Sequence, residues 1–241
     1  MCGRFVSHLP PEEIARLFRT VDPLPNIGPS WNLAPSQDAL VVLRNPETGE
    51  RRLGVLRWGF LPYWAKDRKA TRRPINARAE TLAASPLFRD AFARRRALVP
   101  AGAFFEWRKS SAGQKQPYAI VRTDGQPMAL AGLWDRWRGP DGEIERTFAI
   151  VTVAASPDVA ELHNRMPLII EPADWPLWLG ETEGEPAALL RPSPAGKLRL
   201  WPVSSRVNDP KNNEPALLEP VAGNAASGEN LTLGARAGRR R

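Results

Sequence analysis

From Pro11 to Thr20, Ile14, Leu17 and Phe18 recur at the spacing that gathers apolar side chains on one face of a helix. Glu12 and Glu13 fall in its first turn, where the helix dipole favours acids. The pattern then changes to apolar, strand-like runs closed by turn formers. Ala39 to Arg44 and Arg51 to Trp58 read as two strands joined across Asn45-Pro46-Glu47-Thr48-Gly49. Pro86 to Arg95 returns to helical spacing, with Leu87, Ala91 and Phe92 on one face. Strand-like runs follow at Ala97–Pro100, Ala103–Arg108, Tyr118–Arg122, Met128–Trp137 and Arg146–Val153, separated by Gly, Pro or Asp turns. Pro172 to Gly180 predicts a Trp-rich short helix, and Leu198 to Val203 a last strand. Many short strands with scattered helices predict an α+β domain. Its core is a curved, largely antiparallel, barrel-like β-sheet with a few short helices at the periphery.

No repeat or linker interrupts residues 2–222, which read as one domain long enough to bury a real core. Residues 223–241 are rich in Gly, Ala and Arg and read as a disordered tail. The net charge of +8 points toward a polyanionic partner. Half of that charge is Arg236, Arg239, Arg240 and Arg241 in the tail, where a solvated charge run is the plain expectation. No run approaches the roughly 18 apolar residues of a membrane span. Met-Cys-Gly-Arg-Phe has none of the apolar stretch of a signal peptide. The single cysteine permits no internal disulfide, which fits a reducing cytoplasm. With only His8 and His163 beside it, no structural zinc site and no metal or other cofactor is expected. The tryptophans number nine, enough for the core and for stacking faces that would suit unpaired bases.

That one cysteine is Cys2, directly after Met1. A small residue at this position favours removal of Met1, which would leave an α-amine and a thiol on adjacent carbons. Such an aminothiol condenses with an aldehyde to a Schiff base, and the thiol then closes a stable thiazolidine. The amine titrates at about 7.7–8.0 and the thiol near about 8.5, so both have a reactive fraction at neutral pH. The alternative is an idle thiol on a frayed terminus.

Polar residues also stand among Pro, Gly and Trp in Cys2-Gly3-Arg4-Phe5, Trp31-Asn32-Leu33-Ala34-Pro35, Asn76-Ala77-Arg78-Ala79-Glu80-Thr81, Phe104-Phe105-Glu106-Trp107 and His163-Asn164-Arg165-Met166-Pro167. Trp58-Gly59-Phe60-Leu61-Pro62-Tyr63-Trp64, Ala131-Gly132-Leu133-Trp134 and the late Val203-Ser204-Ser205-Arg206-Val207-Asn208 accompany them. In this order and spacing the chain resembles the SOS response-associated peptidase (SRAP) family, from Cys2 to about Pro220.

The resemblance implies a DNA-damage function. The partner would be single-stranded DNA carrying an abasic site, junctions of single and double strand included. A covalent thiazolidine crosslink through Cys2 would shield the opened sugar. It further implies a catalytic set of Cys2 as nucleophile, Glu106 as acid/base, His163 as proton donor to the deoxyribose oxygen and Asn76 as the group that orients the Cys2 amine and the sugar. From the strand alternation alone, Phe105 and Trp107 share a face and Glu106 takes the other, where a solvent-facing carboxylate is the default. Read alone, His163 fits a structural histidine and Asn76 a turn cap. Arg4, Arg78 and Arg165 each stand two residues from a candidate catalytic residue and would clamp phosphates. Trp64, Trp31 and Pro35 would stack on bases flanking the lesion, with core packing an equal alternative for Trp31. Arg68, in the basic loop with Lys66, Lys69, Arg72 and Arg73, would track the backbone.

Two rival readings stay open. One is a Cys2-dependent peptidase, releasing Met1 by self-cleavage and acting on other chains through the same pocket. The other is a non-covalent single-stranded DNA-binding module. The expected protein is a monomer, cytoplasmic and nucleoid-associated, with no membrane partner.

Overall fold

In the run Arg51–Trp58, Leu53, Leu56 and Trp58 are buried while their neighbours reach solvent. In the computed structural model, which describes residues 2–109 and 115–221, this alternation becomes one wall of a closed barrel. The 223–241 tail lies outside the described residues. The chain runs through β1 (Phe5–Ser7), α1 (Pro11–Phe18), β2 (Ser30–Leu33), β3 (Asp38–Arg44) and β4 (Arg51–Trp58). Next come β5 (Asn76–Arg78), α2 (Arg89–Arg94), β6 (Arg96–Ala101), β7 (Ala103–Lys109) and β8 (Lys115–Arg122). It ends with β9 (Met128–Arg138), β10 (Ile144–Ala154), β11 (Arg165–Pro167), α3 (Trp175–Leu179) and β12 (Leu198–Pro202).

β3 pairs antiparallel with β4 and β6, β6 with β9, and β9 with β10. A parallel pairing of β10 with β4, Phe148 opposite Trp58, closes the ring. Beyond the closure β10 carries on. It accepts β5 in parallel, with Ile150 opposite Asn76, and β11 antiparallel, with Ala154 opposite Arg165. The second sheet has the order β12-β8-β7-β1-β2 and is antiparallel throughout. Between β6 and β7 the chain passes from barrel to second sheet across a single residue, Gly102. Its N–H donates to Val6 O at 2.9 Å, and a Cβ there would run into the His8 ring.

The α+β, barrel-based architecture expected from the sequence is the one observed. α1 buries Ile14 and Phe18, and Phe18 stacks on Trp175 with ring centroids 4.4 Å apart. The helix expected from Pro172 divides into a 3-10 turn, Pro172–Asp174, and α3. Pro176 has no N–H to continue an α-helical ladder back to Pro172. Gly180, at φ 76°, ends α3 where a Cβ would be strained. The helix expected over Pro86–Arg95 starts at Arg89, because Ser85 O accepts both Phe88 N and Arg89 N in a turn. Among the described residues no helix is long and apolar enough to cross a membrane.

Candidate active site

Sheet register carries the amino-terminal residues to their partners. Phe5 pairs with Phe104, and Phe105 N donates to Arg4 O at 3.0 Å, so the chain before Phe5 runs alongside Glu106. Phe5 and Trp58 meet edge to face at 5.1 Å and form an apolar floor beneath it. The same Trp58 donates its indole N–H to Ile75 O at 2.9 Å, and Ile150 N donates to that carbonyl at 3.0 Å. Ile75 is thereby fixed, and Asn76 follows it at the start of β5.

Asn76 Nδ2 donates to Cys2 O at 2.8 Å. Cys2 is completely buried, and its thiol turns back toward Arg4 O at 3.9 Å. Burial pushes the Cys2 thiol well above the ordinary thiol range, and the Glu106 carboxylate adds to the shift. Glu106 is itself 4% exposed, so the solvent-facing alternative for this carboxylate does not hold. The strand alternates as its sequence predicts: Phe105 packs with Trp107 in a small cluster, while Phe104 enters the main core on the Glu106 side. Glu106 and His163 line one cavity of about 440 Å³, together with Trp107, Lys115 and Asn208.

His163 precedes β11, which β10 holds in place. Its Nδ1 accepts the Arg165 backbone N–H at 2.9 Å. A neutral His163 therefore carries its proton on Nε2. Cys2, Asn76, Glu106 and His163 thus come from four separate stretches of chain. Asn76 holds the Cys2 carbonyl, the Glu106 carboxylate acts on the Cys2 thiol, and Glu106 and His163 line the same cavity.

The three arginines differ in environment. Arg4 is half-buried, and its Nη1 donates to Asn32 Oδ1 at 2.9 Å and to Val207 O at 3.0 Å. Arg78 is exposed on β5. The Arg165 guanidinium faces Glu80 and Thr152. Farther out, Trp64 is 51% exposed on the loop after β4. Trp31 packs on the Val6–Phe105 cluster and lies against His8 at 4.6 Å, and Pro35 is half-buried in the turn after β2. Arg68 is paired with Glu143, and Arg73 in the same loop with Glu145 at 2.6 Å. Among the described residues, none of Trp31, Pro35, Trp64 and Arg68 lines the Glu106–His163 cavity.

Three residues at this site were not singled out by spacing, although each lies in a block that stood out. Asn32 is 1% exposed, and its Nδ2 reaches Val207 O, Asp209 O and Asn212 O at 3.0–3.2 Å. It ties β2 to the late segment that bears Asn208. Asn208 Oδ1 accepts the Trp107 indole N–H at 2.7 Å on the cavity wall. Glu80 is the carboxylate on Arg165. For the first, the available signal was an Asn set between Trp31 and the apolar Leu33-Ala34.

Comparison with known proteins identifies the family. The abasic site processing protein YoqW of Bacillus subtilis (strain 168) is 38% identical over 224 residues, covering 91% of this chain and 99% of its own. The abasic site processing protein YedK of Escherichia coli (strain K12) is 35% identical over 234 residues, 92% of this chain and 100% of its own. The crystal structure of a Bacteroides thetaiotaomicron protein, 23% identical, shares the fold at a TM-score of 0.79 over 91% of this chain and 100% of its own. The profile described as SOS response associated peptidase (SRAP) matches residues 1–210, a span that takes in all four candidate catalytic positions. The chain therefore belongs to the SRAP family.

Proposed function

We propose that this protein captures abasic sites in single-stranded DNA by forming a thiazolidine crosslink through Cys2 once Met1 has been removed. The grouping that carries the reading is a buried Cys2 whose carbonyl is held by Asn76 at 2.8 Å and whose thiol lies within the influence of Glu106. Its relatives named abasic site processing proteins supply the substrate class.

A buried neutral thiol is a slow nucleophile, so the amine acts first. His163 Nε2–H gives its proton to the sugar ring oxygen while Glu106 takes the C1′ hydroxyl proton, which opens the hemiacetal, frees the aldehyde at C1′ and leaves a proton to return to His163. The Cys2 amine attacks that carbon, and the carbonyl oxygen leaves as water to give an imine. Sγ then bonds to the same carbon while its proton passes to the nitrogen, which closes the ring. Glu106 relays the protons: it takes one from the amine as water departs and one from the thiol as the ring closes, returning each. The balance is aldehyde plus aminothiol giving thiazolidine plus water, with no redox partner. Reversal runs through the same imine, which water returns to the aldehyde and the free Cys2 amine. Arg4, Arg78 and Arg165 hold the flanking phosphates, Trp64 with Trp31 and Pro35 stacks on bases, and Arg68 follows the backbone. Release of Met1 by the same Cys2–Glu106 pocket would account for the peptidase in the family's description.

The test uses one oligonucleotide with an abasic site and a second whose aldehyde has been reduced to the alcohol. On a denaturing gel the first yields a shifted adduct and the second none, and Cys2→Ala abolishes the shift. An adduct that survives Cys2→Ala, or forms on the reduced sugar, overturns the proposal. Binding without any adduct would instead favour the non-covalent module.

A further inference from the structure

The anion-binding fork of Arg165 is already filled by a group of the protein's own. Nη1 donates to Glu80 Oε1 at 2.8 Å and Nη2 to Glu80 Oε2 at 3.0 Å, two parallel bonds from one guanidinium to one carboxylate. This is the arrangement in which arginine holds a phosphate. The partners are unequal: the Arg165 side chain is 14% exposed and the Glu80 side chain 56%. Arg165 is also anchored from behind, because Nη2 donates to Thr152 O and, at 3.2 Å, to Thr152 Oγ1. Its backbone is fixed by pairing with Ala154 and by the bond to His163 Nδ1. Glu80 sits on the one-turn 3-10 segment Ala79–Thr81, and Arg165 is the chief cause holding its carboxyl below the usual range. Glu80 is therefore charged at neutral pH, and it is the partner free to swing outward.

We infer that Glu80 is a built-in stand-in for a DNA phosphate. In the free protein it occupies the Arg165 fork beside His163, and an incoming backbone phosphate takes its place. This rests on the reading that Arg165 clamps a phosphate next to the captured sugar. Each binding event then exchanges one anion for another at that arginine. Net affinity falls below what the arginines alone would give, and the fork opens only to a ligand that brings a phosphate into register. Thr152 keeps Arg165 in position during the exchange, so Glu80 is dispensable as a prop. A purely structural Glu80 would behave in the opposite way.

The experiment measures fluorescence anisotropy of a labelled single-stranded oligonucleotide with the Cys2→Ala protein, in which no adduct forms. Adding Glu80→Gln tightens binding about two- to fivefold at low salt, the scale of one exposed ion pair. In an Arg165→Gln background the same substitution gains nothing. Unchanged or weaker binding by Glu80→Gln overturns the inference and marks Glu80 as a prop. A gain that persists without Arg165 also overturns it, as a general charge effect. If the Cys2→Ala protein binds no single-stranded DNA at all, the functional reading itself fails, and this inference with it.

Discussion

Asn76 spends its Nδ2 hydrogen on the Cys2 carbonyl at 2.8 Å, while its Oδ1 lies buried with no hydrogen-bond partner among the described residues. A buried acceptor left unpaired costs about 1–3 kcal/mol, so the position is tuned for a donor that comes later. The proposed chemistry supplies one, the freed Cys2 amine or a sugar hydroxyl. Asn76→Ala should slow single-turnover crosslinking about 10- to 100-fold through loss of positioning. Equilibrium binding of intact single-stranded DNA should stay near wild type. An unchanged rate would remove Asn76 from the site.

Glu106→Gln tests the relation between the carboxylate and the thiol. Burial is the larger cause of the raised Cys2 pKa and Glu106 the second, so the substitution should bring the thiol part of the way back toward the ordinary thiol range. Cys2 is the only cysteine, so thiolate absorbance follows this one group through a pH titration. Because the folded state raises the pKa, it binds the thiol proton more tightly than the unfolded chain does. This contribution is complete below the ordinary thiol pKa of about 8.5 and is lost as pH climbs above it. Melting temperature should therefore fall more steeply above that pH in wild type than in Cys2→Ala, with Glu106→Gln between them. Crosslinking by Glu106→Gln should be slower by about 10²- to 10⁴-fold.

Asn32 has a mainly architectural effect. Asn32→Ala strips hydrogen bonds from the carbonyls of Val207, Asp209 and Asn212 and from Arg4 Nη1. The expected loss is about 3 kcal/mol. For a chain of this size that is a drop in Tm of roughly 6–12 °C, readable by calorimetry. A variant with wild-type Tm would show that the late segment is held by its apolar contacts through Val203, Val207 and Leu217 alone.

Arg78 is the exposed member of the arginine set. Arg78→Ala should weaken single-stranded DNA binding and reduce the slope of log K against log salt by about 0.7, one phosphate on a single strand. The same slope as wild type would mean that Arg78 touches no phosphate.

What the sequence made legible divides by element length. β3, β4, β6, β9 and β10 run six to eleven residues, long enough for their apolar patterns to be read, and the barrel follows from them. β1, β2, β5 and β11 have only three or four residues, too few to display any period. Yet those short strands carry or adjoin Cys2, Asn32, Asn76 and Arg165. Motif spacing marked them where periodicity could not. Burial of Glu106 was legible only as a choice between two faces, because which face meets the amino terminus depends on the pairing of β1 with β7. Pairings such as Arg165 with Glu80, 85 residues apart, depend on tertiary geometry that no local pattern encodes.

The central claim is that the mature amino terminus condenses with an aldehyde on DNA. Intact-protein mass spectrometry, before and after incubation with a single-stranded oligonucleotide bearing one abasic site, tests it most directly. The account predicts a protein lacking Met1 that gains the mass of the oligonucleotide less one water, with no such gain for Cys2→Ala. Retained Met1, or a processed protein that binds the oligonucleotide yet keeps its own mass, would contradict it.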